Sequence, residues 1–236
     1  MRVVGLMVAV LALAGCGAEP VAEAPERRAA GGDGAAAAVG SRAEMSGPER
    51  RILAFGDSLF AGYGLEEGES YPARLEAVLR ERGVNARVSN AGVSGDTTAA
   101  GRQRLGFVLD NEKRVPDLVI VELGGNDLLR GLPPEQTREN LDAMLAELEA
   151  RGIPVLLMGI RAPPNLGVEY VRAFDSIYSA LAERYDAALV PFFMEPVLIR
   201  PGLVQPDRIH PTAQGIEAMV AATVDAVAEA LPEDEG

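Results

Sequence analysis

Cysteine and histidine occur once each in this 236-residue chain, as Cys16 and His210, and tryptophan is absent. A single cysteine excludes an intramolecular disulfide, so a packed core must hold the fold together. The same scarcity removes the ligand clusters from which metal sites are built, and no metal or other cofactor is expected. Positive charge is also in short supply. Against 35 Asp and Glu the chain sets 22 Lys and Arg, for a net charge of −13. Phosphates would be repelled, which excludes nucleic acid and anionic membrane surfaces as main partners and leaves small neutral or zwitterionic molecules. Aromatic residues make up 5%, too few to suggest a surface that stacks sugars. Hydrophobic residues reach 48%, enough for one domain of ordinary size to bury a sizeable core.

The N-terminus reads as an export signal. Arg2 precedes the apolar stretch Val3 to Ala14, and small residues follow. That stretch is too short to span a bilayer. "LAGC" (Leu13 to Cys16) resembles a bacterial lipobox, in which the cysteine is lipidated and becomes the first mature residue. The alternative is an ordinary signal cleaved near "ALA" at 12–14, with Cys16 incidental. The segment after Cys16, "AEPVAEAPERRAAGGDGAAAAVGSRAEMSGPE", lacks apolar periodicity and reads as a flexible tether reaching roughly 30 Å. The expected division is a signal over residues 1–15, lipidated cysteine and tether over 16–49, and one folded domain over 50–236.

From residue 50 short apolar runs alternate with helical patterns. "RILAFG", "ARVSNAG", "DLVIVELGG", "PVLLMGI" and "AALVPF" are the predicted strands. Helices are predicted over 71–82, 98–109, 134–151, 168–185 and 212–231. Continuously apolar strands separated by helices imply a parallel sheet covered on both faces. Five strands suit an open, flavodoxin-like sheet, whose ligands bind beyond the carboxyl ends of the strands. Ser58, Asn90, Gly95, Asn126 and the segment after Val190 should therefore gather at one edge.

Ser58 lies in "AFGDSLFAGYG", at a strand-to-helix turn, where serine serves either as an N-cap or as a nucleophile. Asp207 and His210 in "DRIHPTAQG" are spaced to point the same way, and a carboxylate beside an imidazole fixes its tautomer. A hydroxyl, a base and an orienting acid are the minimum set for nucleophilic catalysis. Acyl transfer needs donors for an oxyanion as well. Asn126 in "VELGGNDLLRG" offers an amide, and Gly95 in "NAGVSGDTT" a backbone N–H. As ordinary turn formers, with Asp96 and Asp127 as helix caps, the same residues would be unremarkable.

Taken in chain order, "GDSL", "NAGVSG", "LGGND" and "DRIHP" resemble the four sequence blocks of the SGNH/GDSL hydrolases. "SGDTT", "LLMGIRAPPNLG" and "LVPFFMEPV" are similar to the thioesterase I/arylesterase/lysophospholipase subgroup. The resemblance implies a three-layer α/β/α sandwich and a triad of Ser58, His210 and Asp207. It also implies an oxyanion hole of Ser58, Gly95 and Asn126, no metal, and hydrolysis of carboxylic esters and thioesters. Close relatives often carry Gly after the triad Asp, whereas this chain has Arg208, which would bias the cleft toward a carboxylate or phosphate. Ala162 and Pro163 in the loop "RAPPNLG", and Phe192 and Phe193 in "PFFME", are candidates for the acyl site.

The expected protein is thus a serine esterase acting on small-molecule or lipid esters. It is expected to be a monomer on the periplasmic side of a bacterial envelope, tethered through Cys16. Because Gly17 lacks the acidic character linked to inner-membrane retention, the outer membrane is favoured. The alternatives are a deacetylase of an envelope polysaccharide, or a lipoprotein that carries acyl chains without catalysis.

Overall fold

The computed structural model describes residues 46–233. The signal segment, Cys16 and all but the end of the tether lie outside the described residues. Five strands form one parallel sheet: β1 (Ser46–Gly56), β2 (Val84–Gly92), β3 (Leu118–Glu122), β4 (Val155–Met158) and β5 (Ala188–Val190). Their order is β2-β1-β3-β4-β5, the expected flavodoxin-like arrangement. Between them run α1 (Ser58–Ala61), α2 (Tyr71–Glu81), α3 (Thr98–Asn111), α4 (Gly125–Leu129), α5 (Pro134–Ala150), α6 (Val168–Tyr185), α7 (Glu195–Leu198) and α8 (Ala213–Ala230).

The alternation of side chains along a strand divides the core into two layers. Ile52 and Ala54 of β1, Leu118 and Ile120 of β3, and Leu156 and Met158 of β4 face α2 and α8. Their neighbours Leu53, Phe55, Val119, Val121 and Leu157 face α3, α5 and α6. A sheet buried on both sides needs apolar residues at consecutive positions, which explains why β3 reads as one unbroken run. On α8, Ile216, Met219, Val220, Val224 and Val227 recur at helical spacing and are all buried. Each such side chain contributes about 1.5–3 kcal/mol relative to exposure.

Two element boundaries differ from those the sequence predicts. β1 begins at Ser46, inside the stretch assigned to the tether, because Ser46 pairs with Val84 before a register shift that resumes at Arg50. β5 stops at Val190 because Pro191 has no N–H to continue the ladder. The three short helices α1, α4 and α7 carry too few residues for a periodic signal. All the turns that leave the carboxyl ends of β1, β2 and β3 open on the same edge of the sheet.

Candidate active site

At the end of β1, Asp57 rather than Ser58 is the N-cap of α1. Its Oδ1 accepts the Leu59 N–H at 3.0 Å. With the capping role filled, the Ser58 hydroxyl is left to other partners, and its Oγ lies 2.9 Å from His210 Nε2.

His210 is held in a closed loop. Val204 and Pro211 form an antiparallel bridge, Gln205 N–H donates to the His210 carbonyl at 2.7 Å, and Arg208 N–H to the Gln205 carbonyl at 2.9 Å. The Gln205 amide ties this loop to the Tyr63 carbonyl, also at 2.9 Å. Beyond it α8 starts with Thr212 as N-cap, accepting the Gly215 N–H. At Gly215 a Cβ would stand 2.2 Å from the Leu203 carbonyl oxygen, so only glycine lets the helix press this closely on the loop.

Within the loop one carboxylate serves two purposes. Asp207 Oδ1 accepts the N–H groups of Ile209 and His210 at 2.9 and 3.0 Å, while Oδ2 lies 2.7 Å from His210 Nδ1. The hydrogen bond with the His210 ring, followed by the two backbone N–H groups, lowers the Asp207 pKa to about 2. A carboxylate that stays charged accepts from Nδ1–H and leaves Nε2 as the acceptor for the Ser58 hydroxyl. The Tyr63 ring lies against the imidazole, with centroids 4.3 Å apart.

Asn126 follows β3 on α4, and its Nδ2 donates to Asp57 Oδ2 at 3.0 Å. The next residue, Asp127, is fully buried and links two loops. It accepts from Thr98 N at 2.8 Å, from the Thr98 hydroxyl, and from the Thr137 hydroxyl at 3.2 Å. Asp127 therefore caps α3 from another segment and fixes the loop bearing Gly95 relative to Asn126. Gly95 has φ +86°, a left-handed conformation natural to glycine, and its carbonyl accepts from Arg130 at 2.7 Å. Thr97 rather than Asp96 is the N-cap of α3, and Asp96 pairs with Arg104 at 2.6 Å.

These groups open on a cavity of about 420 Å³, lined by Ser58, Gly95, Asn126 and His210 together with Pro163 and Phe192. Leu59, Leu128, Leu129, Ile160, Met194 and Leu198 complete a largely apolar wall, and Arg161 and Arg208 also border it. Two candidates for the acyl site lie elsewhere. Ala162 turns inward, its N–H donating to Asp175 Oδ1 at 2.8 Å. Phe193 is a core residue, edge-on to Tyr71 and Phe60 at 4.9 and 5.8 Å. Asn90 is also turned to structural work, donating to the Phe60 carbonyl at 2.8 Å. Arg208 adopts φ +61°, a left-handed conformation that glycine takes without penalty and that costs a residue with a Cβ.

Residues 54–218 match the model of the GDSL-like Lipase/Acylhydrolase family. The chain belongs to this family. Within it, the chain is 46% identical over 160 residues to Esterase TesA of Pseudomonas aeruginosa, an alignment covering 68% of this chain and 79% of that protein. It is 43% identical over 160 residues to Thioesterase 1/protease 1/lysophospholipase L1 of Escherichia coli, covering 68% and 74%. Among solved structures, AlinE4, described as an SGNH-hydrolase family esterase, aligns with a TM-score of 0.67 at 65% identity. That match covers 80% of this chain and 100% of AlinE4. This GDSL hydrolase is an ester-hydrolysing enzyme of the esterase, arylesterase and thioesterase type. All these relatives are hydrolases by name, so the reading of the chain as an idle acyl carrier finds no support.

Proposed function

We propose that the enzyme hydrolyses carboxylic esters, together with acyl thioesters and lysophospholipids, through an acyl-enzyme on Ser58. The observation that carries this reading is the continuous contact from Ser58 Oγ to His210 Nε2 at 2.9 Å and from His210 Nδ1 to Asp207 Oδ2 at 2.7 Å. His210 takes the hydroxyl proton as Ser58 attacks the acyl carbonyl, and Asp207 stabilises the imidazolium that results. The Ser58 and Gly95 N–H groups and the Asn126 amide receive the oxyanion. His210 then protonates the departing alcohol or thiol, and water repeats the sequence on the acyl-enzyme. The apolar wall of the cavity suits an acyl chain better than a sugar.

A hydrolysis panel tests the reading, with chromogenic esters from acetyl to palmitoyl alongside an acyl thioester and a lysophospholipid. Turnover of the esters is expected, with at least one of the other two classes also cleaved; no turnover of any ester would overturn it. We infer in addition that the enzyme is exported and anchored to a bacterial envelope membrane through a lipid on Cys16. That inference is supported by the apolar run and the "LAGC" motif.

A further inference from the structure

Behind the cavity lies a second acid that the proposed mechanism does not use. Glu122 closes β3 opposite Gly56 of β1 and is fully buried. Its Oε2 accepts the Asp57 N–H at 3.3 Å, and among the described residues its Oε1 has no hydrogen-bond partner. At Gly56 a Cβ would lie 2.9 Å from Glu122 Oε2 and 2.8 Å from the Glu122 carbonyl oxygen, so glycine is what leaves room for the carboxyl against β1. Next to it, Asp57 is also buried, with the Leu59 N–H on Oδ1 and the Asn126 amide on Oδ2.

Two carboxylates cannot both be ionised in such a place. Burial raises both, and the neighbouring Asp57 charge raises Glu122 further, whereas the Leu59 N–H, Glu122 and Asn126 hold Asp57 back. The Asp57 carboxylate accepts from the Leu59 N–H and the Asn126 amide, whereas among the described residues Glu122 has only the Asp57 N–H at 3.3 Å, so a single shared proton belongs on Glu122.

We propose that Glu122 is a positioning residue for the oxyanion hole: as a neutral acid it donates to Asp57, and the Asp57 carboxylate then orients the Asn126 amide. A carboxylate only accepts, so it dictates that Asn126 presents nitrogen rather than oxygen to it. One N–H of the amide is thereby spent on Asp57, and the other is left for the developing oxyanion. Were Asp57 protonated, the amide could turn over and place its carbonyl oxygen there instead. The inference rests on Asn126 being an oxyanion donor and extends that reading two residues deeper.

The substitutions Glu122→Gln and Glu122→Leu separate donation from packing. Gln keeps both the donor to Asp57 and the acceptor for the Asp57 N–H, and should hold kcat within about threefold of the parent. Leu keeps bulk but no donor, and should lower kcat about tenfold or more with KM nearly unchanged, because the oxyanion contact matters most in the transition state. Wild-type kcat in the Leu enzyme, or a Gln enzyme as impaired as the Leu one, would overturn the proposal. The infrared difference between parent and Glu122→Gln at neutral pH should contain a carboxylic acid C=O band assigned to Glu122. Carboxylate bands in its place would be a contradiction that needs no variant lacking the donor to fold. Asn126→Ala with unchanged kcat would instead mean that the oxyanion reading itself had failed.

Discussion

Asp207 Oδ2 lies 2.7 Å from His210 Nδ1, while its other oxygen accepts the His210 backbone N–H at 3.0 Å. The same carboxylate thus fixes both the loop that carries the imidazole and the tautomer of its ring. Asp207→Asn should keep the backbone acceptor but lose the charge that stabilises imidazolium, lowering kcat on the order of 10² to 10⁴. Its effect on stability has a sign. The Asp207 pKa falls from the ordinary 3.8 to about 2 in the fold. Its contribution is therefore complete above the ordinary value and disappears as pH drops through the folded one. Melting curves of the parent and Asp207→Asn should differ at neutral pH and converge as pH approaches 2. A difference that persists there would argue against the hydrogen-bonded carboxylate.

Asn126→Ala removes one of three proposed oxyanion donors and leaves Ser58 and His210 in contact. kcat should fall about 10² to 10³, or roughly 3–4 kcal/mol, with little change in KM. Steady-state kinetics on a chromogenic ester give the split. An unaltered kcat with a much higher KM would assign Asn126 to substrate binding instead.

Arg208 is the one residue of the triad loop with a backbone conformation foreign to its side chain, at φ +61°. Arg208→Gly should stabilise the fold by about 1 kcal/mol, since glycine adopts this region without a steric penalty. Arg208 borders the cavity, so the same variant should lose rate on esters with an anionic group relative to neutral ones. Paired thermal melts and kcat/KM ratios measure both effects. Lower stability together with an unchanged ratio would leave Arg208 without either role.

Cys16→Ser should move the enzyme from the membrane to the soluble fraction with its specific activity intact, because the folded domain begins some thirty residues later. Fractionation followed by an esterase assay reads both. A serine variant that still sediments with membranes would count against the lipid anchor.

A parallel sheet covered on both faces and the edge where the site forms were legible because a buried parallel strand requires a continuous apolar run, and the strand order came only through the likeness to a flavodoxin-like sheet. Ser58, Gly95, Asn126, Asp207 and His210 could be singled out because each follows a strand or sits in a motif of restricted composition. What could not be read depends on long-range partners. Glu122 ends "VIVE" like any acid at a strand terminus, and its burial comes from Gly56 in another strand. Phe192 and Phe193 are adjacent, yet one faces the cavity and the other the core. Which is which turns on a single residue of alternation just after Pro191, where the ladder has ended. Tyr63 lies against His210 across two loops that the Gln205 amide ties together, a contact between segments far apart in the chain. "SGPE" has the composition of a linker, and only its pairing with Val84 makes its first residue a strand.

Ser58 as the attacking nucleophile is put to the test by intact-protein mass spectrometry after exposure to a fluorophosphonate. The parent enzyme should gain one adduct, mapped to Ser58, and lose activity in step with labelling. Ser58→Ala should remain unlabelled and turn over no ester, while His210→Ala should label far more slowly, since nothing would accept the hydroxyl proton. An adduct on another residue, or ester turnover by a folded Ser58→Ala enzyme, would show that Ser58 is not the nucleophile.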